Sequence, residues 1–270
     1  MSAVTFEKEV PEFITQWTEE LEYDPLSTPN DQLDVLGARL ASVRFDFRSR
    51  SKSDAELIDI TTGLETDLDS WSVRTQAAGS ACKYEAVHDP TSPNSWHGTR
   101  HEYVNPEALR FWNKFRCYCI ALSRLQEELW RRSWSLPGSA VPEAEHYSTR
   151  RNQMQADICV ATATLLGNDA PVELPQAAMG NAYPLILPLM LAGTCLLEQL
   201  ITAVSTPGGS RTILVDGPLH LDRFDERSTQ LAWVIARLDW IAEKVGIRWA
   251  AATAKWLRGD ESTVYDVPRS

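Results

Sequence analysis

Between Asn105 and Arg132 the residues Ala108, Phe111, Phe115, Tyr118, Leu122, Leu125 and Leu129 recur at alternating steps of three and four. That period belongs to an α-helix with one apolar edge; a strand would alternate every second residue. Asn105 can cap the first turn, and Pro106 stands where a missing N–H costs nothing. Arg110, Lys114, Arg116, Arg124 and Glu128 fall away from the stripe. A helix this long with an aromatic edge must bury that edge against other helices.

The same period recurs along most of the chain. A first helix is expected over Phe6 to Leu21. Thr28 then caps a second, with Pro29 at its first position and Leu33, Leu36, Leu40, Val43 and Phe47 as its stripe. Ser53 to Glu56 has the form of a capping box, ahead of Leu57, Ile60, Leu64, Leu68 and Trp71. From Ala77 to Tyr103 the pattern gives way to Gly, Ser, Pro, Asn and His, which reads as a long mobile loop. Trp96 is its exception and is expected to dock on the bundle. Pro137, Gly138 and Pro142 mark a second break, followed by a helix from Ala144 to Leu166. A Pro-containing loop leads to an apolar helix from Tyr183 to near Val204. Pro207 to Asp222 reads as a loop with a short extended piece at Thr212 to Val215. Leu231, Val234, Leu238, Ile241 and Val245 form another stripe, stopped by Gly246. Trp249, Thr253 and Trp256 mark a last short helix, and 260–270 reads as a frayed tail.

The expected fold is therefore all-α, a single domain over 1–270. It is one helical bundle or superhelix of about eight helices. The Tyr183 helix is expected at its centre with the Asn105 helix beside it. Phe111, Phe115, Leu122, Leu189, Leu238 and Trp240 are expected in the core.

A net charge of −11 argues against direct nucleic-acid binding, because phosphate contacts need clustered Lys and Arg. The cysteines Cys82, Cys117, Cys119, Cys159 and Cys195 are odd in number and irregular in spacing. The acidic start MSAVTFEKEVPEF lacks the apolar core of a signal peptide, so reduced thiols are expected. Asn181 to Leu197 carries no charge, but Pro184 and Pro188 interrupt it and Glu198 follows. A buried helix is expected there and no membrane partner.

Catalytic and metal patterns are sparse. Cys117 and Cys119 are two apart on a helix and point to different sides, which suits core thiols better than a zinc pair. His97 and His101 have a metal-compatible spacing only if helical, and they lie in the Gly-Ser-Pro-rich loop. In Glu65-Thr66-Asp67-Leu68-Asp69, a helix splits Asp67 from Asp69, so a solvated face is expected. Gly208-Gly209-Ser210-Arg211 reads as a turn, and Arg48, Arg50 and Lys52 as a solvated loop or a weak nuclear import signal. Phe111, Phe115 and Tyr118 are expected to pack as core, not to line a pocket. P-loop, dinucleotide, nucleophile-elbow and kinase motifs are missing from the sequence. No catalytic residue, cofactor or metal is assigned; His97, His101, His220 and Asp222 are the titratable groups to inspect first.

These residues resemble a family. ALRFWNKFRCYCIALSRLQEEL resembles a helix of fungal zinc binuclear-cluster transcription factors that reads "W…WN.YR..R..L.E.L". Trp112, Asn113, Phe115, Arg116, Leu122, Leu125 and Glu128 occupy its places. ICVATATLLG resembles the next helix of that family. Ala182-Tyr183-Pro184-Leu185, Leu187-Pro188-Leu189 and Ala192-Gly193 resemble its "Y.L.WPL..AG" helix, with Leu187 for the usual Trp. WVIARLDWIAEKVGIRWAAATAKWL resembles the closing "W…RL..I....GI..A...A..L", and Leu36 to Trp71 fits the upstream "L…L..W" pair. The likeness covers roughly Asp31 to Leu257.

The resemblance implies an all-helical C-terminal regulatory domain, acting in the nucleus on transcription of a fungal pathway. In the family, DNA contact comes from an N-terminal six-cysteine zinc cluster and a basic linker, and the 270 residues from Met1 contain neither. A fragment, a gene model lacking its first exon and a stand-alone regulator all stay open. The expected partners are proteins, a second copy or a small apolar effector. A helical scaffold recruited as an enzyme or metabolite-binding protein of secondary metabolism is the alternative.

Overall fold

The computed structural model describes residues 28–77, 82–92, 95–133, 142–166, 182–205 and 226–259. Seven α-helices and one two-stranded antiparallel sheet lie among them. They are α1 (Pro29–Ser49), α2 (Asp54–Ala77), β1 (Tyr84–His88), β2 (Thr99–Tyr103), α3 (Pro106–Ser133), α4 (Pro142–Leu166), α5 (Ile186–Ser205), α6 (Glu226–Trp240) and α7 (Arg248–Leu257). The chain is mostly helical, as its periodicity dictates. The helix expected over Phe6 to Leu21, the extended piece at Thr212 to Val215, Gly208 to Arg211 and the 260–270 tail lie outside the described residues.

Where the sequence suggested one domain, contacts gather the chain into two compact units. The first comprises 1–85 with 102–154, the second 86–101 with 155–270. The Asn105 and Tyr183 helices fall in different units.

In the first unit, local signals start α1, α2 and α3. Thr28 and Asp31 close a reciprocal capping box: the Thr28 N–H donates to Asp31 Oδ2 at 2.9 Å, and the Asp31 N–H to Thr28 Oγ1 at 3.2 Å. Arg50, at φ 55°, ends α1 in the left-handed region. Ser53 and Glu56 repeat the box for α2, at 2.9 and 3.3 Å. Asn105 Oδ1 accepts from the Ala108 N–H at 2.8 Å. Leu33, Leu36 and Leu40 of α1, Leu64, Leu68 and Trp71 of α2, and Phe111, Phe115 and Leu122 of α3 then bury one another. Trp71 Nε1 donates to the Pro29 carbonyl at 2.8 Å, fastening the end of α2 to the start of α1.

The second unit packs α5 against α6 and α7. A 3-10 turn at Tyr183–Leu185 leads into α5, with Pro184 and Pro188 at its start, where few N–H groups are owed a partner. Leu189 and Leu196 are fully buried in one cluster with Leu231, Val234 and Leu238 of α6, and Ala192 and Cys195 are fully buried as well. Gly193 lets Leu257 and Val234 approach the α5 backbone. Tyr183–Ile201 is long and apolar enough to cross a membrane, yet half of that window is buried in the fold. After Trp240 the helix widens into a π turn, Ile241–Val245, closed by Gly246 at φ 78°. All six residues expected in the core are buried.

Two expectations need correction. The stretch 77–103 is not a featureless loop, because it folds β1 and β2 into a hairpin. Trp96 docks as expected, 8% exposed, at a ring-centroid distance of 4.3 Å from Trp233. Helix α3 buries its apolar edge as expected, but the burial extends beyond that edge. Asn113, Arg116, Ser123 and Gln126 are buried as well as the aromatic stripe, so its middle is enclosed on several sides.

Candidate functional site

His97 and His101 do not form a ligand pair. His97 is exposed at φ 48° in the turn closed by Trp96 and Thr99, whereas His101 is buried on β2. The His101 backbone N–H donates to Thr164 Oγ1 at 3.1 Å. A turn and a strand cannot set i and i+4 side by side as a helix does. His220 and Asp222 lie outside the described residues. Among the described residues no three His, Cys, Asp or Glu side chains are grouped to hold a metal.

The acidic run of α2 behaves differently at its three positions. Asp67 turns outward and pairs with Arg39 at 2.8 Å. Glu65 and Asp69, four apart and so on one face, clasp Arg150 of α4. Arg150 donates from Nη1 to Glu65 Oε1 at 3.1 Å and Asp69 Oδ2 at 3.0 Å, and from Nη2 to Asp69 Oδ1 at 2.6 Å. Gln126 Nε2 donates to Glu65 Oε2 at 2.8 Å, and His146 Nε2 meets Glu65 Oε1 at 3.1 Å. The expectation of a wholly solvated face is therefore corrected: Glu65 and Arg150 keep only 15% and 14% of their side-chain exposure. Burial by itself favours a neutral guanidine, but the Asp69 hydrogen bonds override it and hold Arg150 charged.

Cys119 Sγ sits 3.6 Å from Arg150 Nη2. A nearby cation usually activates a thiol. Here full burial dominates, and the Cys119 thiol is pushed up to about 11 despite Arg150. Burial pushes Cys159 up to about 12. The carboxylates whose shifts are resolved all move down. The Thr28 hydroxyl lowers Asp31, the Ser53 hydroxyl Glu56 and the Thr91 hydroxyl Asp89. Burial works against ionisation of Asp46, and the Lys52 and Ser51 hydrogen bonds outweigh it.

Arg116 anchors a second polar knot in the first unit. Its Nη1 donates to Tyr103 Oη at 2.8 Å and Asn113 Oδ1 at 2.9 Å. Its guanidinium lies over the Tyr84 ring, 5.2 Å from the centroid, and Tyr84 stacks on Tyr103 at 5.4 Å. Trp112 Nε1 donates to the Cys82 carbonyl at 2.8 Å and packs edge-on against Trp71 at 5.3 Å. Trp112, Asn113 and Arg116 of α3 are thus each a packing or hydrogen-bonding centre.

The second unit holds a chain of amides and an aromatic cluster. Gln199 Nε2 donates to Gln155 Oε1, and Gln155 Nε2 to Gln230 Oε1, both at 3.3 Å, linking α4, α5 and α6. On α6, Trp233, Arg237 and Trp240 follow at steps of four and three, on one face. Arg237 lies 5.2 Å from the Trp233 ring centroid. Trp233 and Arg237 stand off the periodic stripe through Leu231, Val234 and Leu238, whereas Trp240 is one of the residues expected in the core. No protein-family model, no curated protein and no solved structure matches the chain.

Proposed function

We propose that this chain is a regulatory helical domain of the kind found in fungal zinc-cluster transcription factors. It acts in the nucleus on transcription of a secondary-metabolite pathway, through protein partners or a small effector and without direct DNA contact of its own. The reading rests on the ordered resemblance of the helices from Asp31 to Leu257. The thiols of Cys119 and Cys159 are held protonated by burial and are poor nucleophiles, which suits a structural role for both. The −11 net charge suits protein partners better than a phosphate backbone.

The test is to tether the chain to a heterologous DNA-binding module upstream of a reporter in a filamentous fungus. A several-fold change in reporter output is expected, together with no shift of random duplex DNA by the untethered chain at low salt. An unchanged reporter, or tight salt-sensitive duplex binding, overturns the reading.

A further inference from the structure

We propose that Ser51, in the exposed turn between α1 and α2, is a phosphorylation site for a serine kinase that reads basic residues, and that the phosphate unfastens the end of α1.

Arg48, Ser49, Arg50, Ser51, Lys52 and Ser53 are all exposed. Ser51 has Arg48 three residues before it, Arg50 directly before it and Lys52 directly after. A kinase with acidic pockets beside its active site selects substrates by that pattern of charge. The neighbouring serines fit it less well. Ser49 has Asp46, of the wrong sign, where Ser51 has Arg48. Ser53 is followed by Asp54 and Glu56, and its hydroxyl closes the capping box of α2. Ser51 lies outside both helices, and the end turn of a helix opens at low cost, which lets the segment extend along a kinase groove. Arg50 holds φ 55°, where helices usually end on Gly, so a side chain is kept there against the backbone preference. Asp46 fastens the turn. Its carbonyl accepts from the Ser51 N–H at 3.2 Å, its Oδ1 from the Ser51 hydroxyl at 2.7 Å, and its Oδ2 from Lys52 Nζ. In the modification, Ser51 Oγ bonds to the γ-phosphorus of ATP, the bond to the ADP oxygen breaks, and the hydroxyl proton passes to the kinase's base. The Ser51 oxygen can then no longer donate to Asp46. Its phosphate carries about two negative charges at pH 7 and stands beside a carboxylate. Repulsion drives the two apart, and Lys52 and Arg50 turn to the phosphate as the stronger acceptor. Asp46 loses both side-chain partners, and the last turn of α1 loses its clasp.

The experiment incubates the full folded chain with magnesium ATP and the catalytic subunit of cyclic-AMP-dependent protein kinase, a kinase that selects arginine before its serine. Tandem mass spectrometry is expected to place the phosphate on Ser51. Ser51→Ala should lose it, and Arg48→Gln should lower kcat/KM for the transfer by about tenfold. Both positions are exposed, so both variants should fold as the parent does, which circular dichroism checks. Amide hydrogen exchange over 47–52 should quicken several-fold in the phosphorylated chain while the middle of α2 stays unchanged. Asp46→Ala should show the same quickening without phosphate, and phosphorylating that variant should add little to it. No phosphate on Ser51, preferred transfer to Ser53, an unchanged rate in Arg48→Gln, or exchange that phosphorylation leaves as it was would overturn the proposal. These readouts do not involve transcription, so a silent reporter beside a modified and loosened turn overturns only the regulatory reading.

Discussion

Three helical glycines invite the same substitution with three different outcomes. Alanine in place of glycine gains about 1 kcal/mol of helix propensity in a helix interior. At Gly63, on α2, an added Cβ meets nothing within 4 Å, so the full gain is expected. At Gly37, on α1, the Cβ would lie 2.4 Å from Tyr118 Oη, 2.5 Å from Cζ and 2.7 Å from Cε2. Ordinary contact begins near 3.4 Å, so the ring must withdraw by most of an ångström. Tyr118 is a rigid ring buried in the core and has little room to yield. Overpacking of this kind costs about 1–3 kcal/mol or more, which exceeds the propensity gain. At Gly193, on α5, the nearest atoms are the Leu257 methyls at 2.6 and 3.0 Å, the far ends of a flexible side chain. That change should be close to neutral.

Gly37 and Gly63 belong to the same unit, so they report on the same packing. The propensity gain is common to both, so their alanine variants should differ by about 1–3 kcal/mol, or roughly 2–12 °C in Tm. Urea and thermal unfolding, followed by far-ultraviolet circular dichroism, measure the difference. Tyr118→Phe should not rescue Gly37→Ala, because Cζ remains. Tyr118→Leu should, giving a coupling energy of about 1–3 kcal/mol in a double-mutant cycle. Equal stability of Gly37→Ala and Gly63→Ala, or zero coupling to Tyr118, refutes the packing described here.

Phe115→Ala should cost about 3–5 kcal/mol, since Phe115 stacks on Trp71 at 5.3 Å and meets Trp112 edge-on at 5.5 Å; urea unfolding reads it directly. The thiols predict alkaline weakening. Cys119 and Cys159 titrate higher folded than unfolded, so their contribution is complete below about pH 8.5 and declines as pH rises toward about 11 and about 12. Between about pH 8.5 and 10 each should remove about 2 kcal/mol, and Cys119→Ala and Cys159→Ala should each abolish its own share. An alkaline loss unchanged in the double alanine variant would show that other groups are responsible.

What the sequence made legible was whatever its local periodicity encodes. The stripes of α1, α2 and α3 and the caps at Thr28, Ser53 and Asn105 are decided within a few residues, and they appear where read. The hairpin was hidden because its two five-residue strands lack clean alternation and are separated by a Pro- and Ser-containing turn. The polar sites were hidden for a different reason. Glu65 and Asp69 share a face by spacing alone, but their partner Arg150 is more than 80 residues away. Arg116 looked like a solvent-facing residue because periodicity scores hydrophobicity, and its partners Tyr84 and Tyr103 come from the segment with no periodicity at all. The burial of a charged side chain depends on whether distant residues supply compensating groups, a property of the pair and not of either position. Asn113 and Arg116 are such a case: one turn apart on α3, they are buried because Tyr103 and Tyr84, which local sequence does not bring near, complete the hydrogen bonds and the ring stack around the guanidinium.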